Sequence, residues 1–325
     1  MTKIIVRTNP NLALIKYWGK RDEALMLPTK SSLSVGLNAL TTETIITQAE
    51  DRDHIKLTFS HSVEAVQKIQ SFINLFRTTY GVKNYFSISS SNDFPTAAGL
   101  ASSSSGFAAL ALGLATASNL NLDDRQLSIL ARRGSGSAAR SIAGGIVIWH
   151  KGQLPDGTDC YAEQLFDQHH WPELRILIII VNDNEKKISS RDAMRLTVAT
   201  SPSYQNWVAS SEDRLEEMIT AIKAKDFTSV GKLAEQDWYG MHDAMRDTTP
   251  SLDYWTSTSY TVIETVKQLR AQGHNCFFTT DAGPNVFVCC HKDNVAIIKQ
   301  TLASLPGVLG SIESTVAGKP TVTTL

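Results

Sequence analysis

Cysteine is scarce: the 325 residues hold four, Cys160, Cys276, Cys289 and Cys290, with no CxxC spacing. That excludes a dense disulfide framework and suits reduced, buried thiols in a cytoplasmic protein. The eight histidines are scattered and no HExxH occurs, which argues against a protein-ligated zinc site. No apolar run approaches bilayer length, and the most apolar one, Ile176–Val181, reads as a buried strand. The opening Met1–Arg7 has too short an apolar run for a signal peptide. Neither sign of charge is in excess, with 31 Lys and Arg against 32 Asp and Glu. Bulk attraction to nucleic acid or to an anionic membrane is therefore not expected, and an anionic ligand must be gathered by a local cluster.

What is present is ordinary globular composition, 42% apolar and 19% charged, enough for one large domain or two lobes. β-Branched or alternating runs predict strands at Lys3–Arg7, Ser31–Val35, Thr42–Thr47, Asp53–Ser60, Tyr85–Ser89 and Arg175–Val181. Val66, Ile69, Ile73 and Phe76 stand at helical spacing within Val63–Phe76, and Leu215, Met218, Ile219 and Ile222 do so within Ser211–Lys223. Further helices are expected at Phe107–Ala117, Asp123–Arg133, Arg191–Ala199, Phe227–Met245, Thr261–Gln272 and Lys292–Leu302. Late strands are expected at Asn275–Thr280, Val286–Cys290 and Gly307–Glu313. The polar loop Asn182–Arg191 is the candidate lobe boundary, giving lobes 1–185 and 186–325.

Two glycine- and serine-rich stretches interrupt this pattern. Pro95-Thr-Ala-Ala-Gly-Leu-Ala-Ser-Ser-Ser-Ser-Gly106 lies between a strand and a helix, a geometry that offers backbone N–H groups to an anion. A flexible loop has the same composition. Arg132-Arg-Gly-Ser-Gly-Ser-Ala-Ala-Arg-Ser141 is the second, and Arg140 could hold a carboxylate or phosphate with its fork. A helix-to-strand turn with a surface arginine is the plainer account. Near the N-terminus, Lys16, Lys20 and Arg21 surround Tyr17 and Trp18, which suits a phosphorylated small molecule or, equally, a solvated basic turn. Asp281 stands where a strand meets a turn set by Gly283 and Pro284, placed either to accept a proton or to bond its own backbone. Together these parts are the kit for phosphoryl transfer from ATP to a small anionic alcohol.

At these residues the chain resembles the diphosphomevalonate decarboxylase family, within the galactokinase–homoserine kinase–mevalonate kinase–phosphomevalonate kinase superfamily. Asn11–Asp22 with Leu27-Pro28 and Ser31–Val35, Phe94–Ser104, Ala131–Ser137 with Arg140-Ser141, Ser189–Arg191 through Ser201, and Thr280–Asn285 carry the resemblance. They follow family order across almost the whole chain. The Pro95 stretch marks the superfamily; Ile15-Lys-Tyr-Trp-Gly-Lys20 and Asp281-Ala-Gly-Pro-Asn285 point to the decarboxylase branch.

The resemblance implies an α+β, two-lobed fold. The N-terminal lobe would resemble domain 2 of a small-subunit ribosomal protein, the C-terminal lobe would be ferredoxin-like, and the active site would lie between them. It implies ATP-dependent decarboxylation of (R)-5-diphosphomevalonate to isopentenyl diphosphate through 3-phosphorylation, with ATP and Mg2+, in a cytoplasmic homodimer. Pro95, Ala98, Gly99, Leu100, Ala101, Ser102, Ser103 and Gly106 would bind ATP. Asp281 would act on the 3-hydroxyl, Arg140 would hold the substrate carboxylate with Asn11 nearby, and Lys16 would neutralise charge at the reacting centre. Tyr17, Lys20, Ser137, Ser190 and Arg191 would bind the diphosphate. Metal ligands are not implied. Ala139 stands where the family usually has cysteine, which argues against a catalytic thiol there, and Ser104 and Ser105 receive no role. A relative that only phosphorylates or that decarboxylates a monophosphate, and a non-catalytic binding module, are the rival readings.

Overall fold

The computed structural model describes residues 2–59, 62–94, 102–181 and 188–325. β1 (Lys3–Thr8) opens the chain with Ile4, Val6 and Thr8 buried and their neighbours less so, the period-two signature of a strand with one face on a core. Then come β2 (Asn11–Ile15), β3 (Lys20–Asp22), β4 (Leu27–Pro28), β5 (Ser32–Gly36), β6 (Thr42–Ala49), β7 (His54–Leu57), α1 (Val63–Tyr80) and β8 (Tyr85–Asn92). α2 (Ser102–Ala117), α3 (Asp124–Gly134), the single turn α4 (Ala138–Ser141), β9 (Ile146–Trp149) and β10 (Ala162–Phe166) complete the first part. The second part runs β11 (Leu174–Ile180), α5 (Ser190–Thr200), α6 (Tyr204–Ala209), α7 (Ser211–Ala224), α8 (Phe227–Arg246), α9 (Ser257–Ala271), β12 (Cys276–Thr279), β13 (Val286–His291), α10 (Val295–Ala303), β14 (Gly310–Ser314) and β15 (Thr321–Thr324).

Three main sheets result. One has the order β15-β1-β6-β8-β7, another β10-β9-β5-β2, and the third β12-β13-β11-β14, while β3 and β4 form a small hairpin. Among the described residues the ladders are antiparallel except β7 with β8. α2 lies against β1 and β6 so closely that a Cβ at Gly113 would come within 2.6 Å of Ile46 Cδ1. α1 and α2 close a core of Ile46, Phe72, Phe76, Phe86, Ile88 and Leu114 over this sheet.

A second core joins the two parts of the chain. Leu12, Leu14, Leu33 and Ile148 pack with Ile176, Ile178, Met218, Leu233 and Phe277. Each such side chain contributes about 1.5–3 kcal/mol on burial, so the sheets on either side of the cleft are held in fixed relation. β11 is apolar from Ile176 to Ile180 because its other face, Leu177 and Ile179, packs on Val262, Val266 and Ile298 of α9 and α10. The expected lobe boundary at 185/186 falls outside the described residues; β11 before it pairs with β13 and β14 after it, and β15 returns to pair with β1.

Of the two readings of the Lys16–Arg21 segment, the solvated basic turn does not form. Asn11–Ile15 is a fully buried strand, and Lys16 and Trp18 lie inside the protein. Lys20 and Arg21 then alternate on β3, Lys20 inward and Arg21 outward, where Arg21 caps the carbonyls of Lys151 and Leu154. Arg21 therefore stands apart from the cation cluster.

Candidate active site

Where β2, the α3–α4 loop, the start of α2, the start of α5 and the β12–β13 turn meet, they enclose a cleft of about 420 Å³. Its walls include Asn11, Lys16, Tyr17, Ser102, Ser103, Ser137, Arg140, Ser190, Arg191 and Asp281, residues up to 270 positions apart. Lys20 and Gly106 are not among the described lining residues. Pro95, Ala98, Gly99, Leu100 and Ala101 lie outside the described residues.

At the cleft floor the Lys16 ammonium donates to Asp281 Oδ1 at 2.9 Å and to the Ala13 carbonyl at 2.8 Å. The lysine side chain is only 1% exposed and the aspartate 24%, so the carboxylate keeps an open edge toward the cleft. The N–H of Lys16 is itself bound by Asp237 Oδ2 at 2.5 Å. Asp237, wholly buried on α8, also takes the Lys30 ammonium and Arg214, each at 2.9 Å. Burial lowers the pKa of Lys30, while Asp237 pulls it back up. Removing Asp237 would strand the Lys30 charge, a loss of about 3–5 kcal/mol for a broken buried pair.

Arg140 is also buried, 3% exposed. Its Nε donates to Asn11 Oδ1 at 2.9 Å and its Nη1 to Ser32 Oγ at 2.6 Å, while Asn11 Nδ2 donates to Ser141 Oγ at 2.8 Å. Burial lowers the guanidinium pKa to about 10, opposed by the charges of Asp281 and Tyr17. Asn11 thus positions Arg140 through one carboxamide that both accepts and donates.

Tyr17 stacks edge-on against Trp149, with ring centroids 4.8 Å apart. Its buried hydroxyl has no hydrogen-bond partner among the described residues. Burial pushes the phenol pKa well up, against the pull of Arg140 and Arg191. A buried polar atom left unmatched inside a cleft costs about 1–3 kcal/mol, and a ligand oxygen would relieve it. Lys20 points inward to Glu23 Oε2 at 2.7 Å, and burial lowers its pKa. Trp18 ties these anchors to α5: its indole donates to Thr197 Oγ1 at 3.0 Å and its carbonyl accepts from Tyr204 at 3.0 Å. α5, capped by Ser189, carries Ser190 and Arg191 at its N-terminus, where helix N–H groups favour an anion.

On the opposite wall α2 begins at Ser102 and presents Ser102 and Ser103. Ser103 Oγ lies 3.2 Å from Ser135 Oγ, joining the two glycine- and serine-rich stretches. Ser104 and Ser105 turn into the core, and Ser105 Oγ bonds Thr42 Oγ1 at 2.6 Å. Among the described residues no cluster of three His, Cys, Asp or Glu side chains could hold a metal ion.

Comparison with known proteins decides the family. The diphosphomevalonate decarboxylase-like N-terminal domain matches residues 8–162, and the mevalonate 5-diphosphate decarboxylase C-terminal domain matches 176–323. The chain belongs to the diphosphomevalonate decarboxylase family. The diphosphomevalonate decarboxylase of Candida albicans is 36% identical over 317 residues, 91% of this chain and 88% of that one. The mevalonate diphosphate decarboxylase from Enterococcus faecalis, in a structure described as addressing mevalonate diphosphate mediated ATP binding, is 38% identical with a TM-score of 0.92 over 100% of both chains. A structure of MDDEF in complex with MVAPP, AMPPCP and magnesium has the same identity, TM-score and coverage. The α+β, two-lobed fold of the superfamily is therefore that of this decarboxylase-family chain.

Sequence reasoning missed Asp237, Lys30 and Ser32. One signal was available: Val230, Ala234, Asp237 and Met241 share a face of α8, and an acid on an apolar stripe needs a buried partner.

Proposed function

We propose that the cleft catalyses the ATP-dependent decarboxylation of (R)-5-diphosphomevalonate to isopentenyl diphosphate, ADP, phosphate and CO2. The convergence of Lys16, Arg140 and Asp281 from three distant segments on one cleft carries this reading. Asp281 takes the proton of the tertiary 3-hydroxyl as that oxygen bonds to the γ-phosphorus of ATP and ADP leaves. Lys16, paired with the Asp281 carboxylate at 2.9 Å, offsets charge gathering at the phosphoryl group. Arg140, held by Asn11 and Ser32, orients the substrate carboxylate. The C3–O bond then breaks with phosphate as leaving group, and the electrons of the C–CO2 bond form the new double bond as CO2 departs. Asp281, negative and near C3, favours the developing positive charge there, and Arg140 must hold the carboxylate without over-stabilising it in the ground state.

Tyr17, Lys20, Ser137, Ser190 and Arg191 bind the diphosphate; the unmatched Tyr17 hydroxyl supports this. Pro95–Gly106 binds the triphosphate, with Ser102 and Ser103 at the α2 N-terminus. Magnesium fits a site built mainly from ATP phosphates and water, with Ser102 or Ser103 as hard oxygen donors, since no acidic cage occurs among the described residues. When bound it supplies charge neutralisation to the phosphates. Lobes at 1–185 and 186–325 and a homodimer follow from the family resemblance. Four buried free thiols support a cytoplasmic setting, and no helix among the described residues is long and apolar enough to cross a membrane.

A coupled assay with purified protein tests the reading. ADP and CO2 should appear in equal amounts from diphosphomevalonate and depend on magnesium, with far less from the monophosphate. ADP without CO2 would instead mark a kinase, and no turnover a binding module.

A further inference from the structure

Asp281 follows Thr280, whose side chain is entirely buried. Thr280 Oγ1 accepts the indole N–H of Trp238 at 2.8 Å and that of Trp255 at 3.1 Å, and it lies 3.0 Å from His242 Nε2. Indole nitrogen only donates, and a hydroxyl oxygen has two lone pairs and one proton. With both lone pairs taken, the Thr280 proton has one direction left, toward His242 Nε2. This donor count calls for Nε2 as an acceptor, which corresponds to the neutral Nδ1–H tautomer of the ring. Burial, and then the charges of Lys16 and Arg246, push the His242 pKa well down, against a weaker pull from the Thr280 backbone.

The three rings have little room to move. Trp238 and Trp255 stack with centroids 4.6 Å apart and 7° between planes, and His242 sits 4.5 Å from Trp255. Trp238 is buried in the core behind β12 and β13. Rotating Thr280 would break three hydrogen bonds at once in a dry interior, where each unmatched group is costly. β12 ends at Thr279, so Asp281 stands in the turn beyond the strand and the knot holds the residue from which that turn starts.

We propose that Trp238, Trp255, His242 and Thr280 form a positioning knot that fixes the direction of the Asp281 carboxylate toward the reacting hydroxyl. None of the four is among the described residues lining the cleft, so they act through Asp281 and do not touch substrate. A misplacement of the carboxylate by about 1 Å is enough to lower turnover on the order of 100-fold.

The proposal rests on the role given above to Asp281, and the test separates the two. Thr280→Val, nearly isosteric, should lower kcat about 10- to 100-fold with KM for both substrates within about twofold. Thr280→Ser, which keeps the hydroxyl, should restore most of it. In an Asp281→Asn background the same Thr280→Val change should cost less than about twofold, because the group it orients is gone. An equal loss in both backgrounds, or normal kcat in Thr280→Val alone, overturns the knot; near-normal turnover in Asp281→Asn alone overturns the role of Asp281 instead. If Thr280→Val does not fold, 15N-histidine NMR of the wild-type protein decides. A proton on Nδ1 of His242 and none on Nε2 supports the knot, and the reverse tautomer overturns it.

Discussion

The Lys16 ammonium and the Asp281 carboxylate meet at 2.9 Å across 265 residues of sequence. The lysine is sealed and the aspartate is not, so the pair is a cation buried behind a carboxylate that faces the cleft. This asymmetry suits a proton acceptor: the charge is stabilised from behind while one edge stays open to substrate.

Asp281→Asn should keep the fold and ATP binding but lose about 10²–10⁴-fold in kcat, the usual contribution of a placed general base. Steady-state kinetics beside nucleotide titration measure both halves. Near-normal kcat would remove Asp281 from the chemistry.

Arg140→Lys should lower kcat/KM on the order of 10- to 100-fold, since an ammonium cannot hold Asn11 and Ser32 and still fork to a carboxylate. Adding guanidinium to the assay of this variant, or of Arg140→Ala, should recover part of the rate. An unchanged kcat/KM in Arg140→Lys counts against the assignment.

A methyl group at Gly136 would stand 2.6 Å from the Tyr17 hydroxyl. Gly136→Ala should displace Tyr17 and cost about 1–3 kcal/mol, read mainly as a raised KM for diphosphomevalonate with kcat less affected. A KM equal to wild type would show that Tyr17 does not contact the substrate.

Far from the cleft, Asp53 accepts from Arg77 Nη1 at 2.8 Å, Gln70 Nε2 at 2.7 Å and the Phe86 N–H at 2.9 Å. Burial raises its pKa, but these bonds outweigh burial and hold it below the usual aspartate value. A carboxyl with a depressed folded pKa stabilises fully above its unfolded value, about 3.9, and loses that contribution as pH falls through the folded one. Asp53→Asn should therefore destabilise at pH 7 yet flatten the fall in Tm below about pH 4. Equal acid sensitivity in both proteins would assign that fall to other carboxylates.

Local pattern made much of the fold readable. Ile176–Ile180 could only be a buried strand, and Leu215, Met218 and Ile222 could only be one face of a helix, because burial periodicity is written along the chain itself. The Asn11–Ile15 strand was masked by Asn9-Pro10-Asn11 and the lysines beyond it, whose burial depends on partners elsewhere. β15 was unreadable because its partner, β1, lies at the other end of the chain.

For the cleft, the sequence alone determined which residue types stood in which motifs, including Asp281 at its turn and Arg140 after its glycines. Tertiary structure decided what those residues touch. Lys16 is a buried cation because Asp281 comes to its ammonium and Asp237 to its main-chain N–H across more than 200 positions, and Thr280 is locked because two indoles and one imidazole converge on a single oxygen. Hydrogen bonds are short-ranged and directional, so their partners exist only once the chain has closed around them.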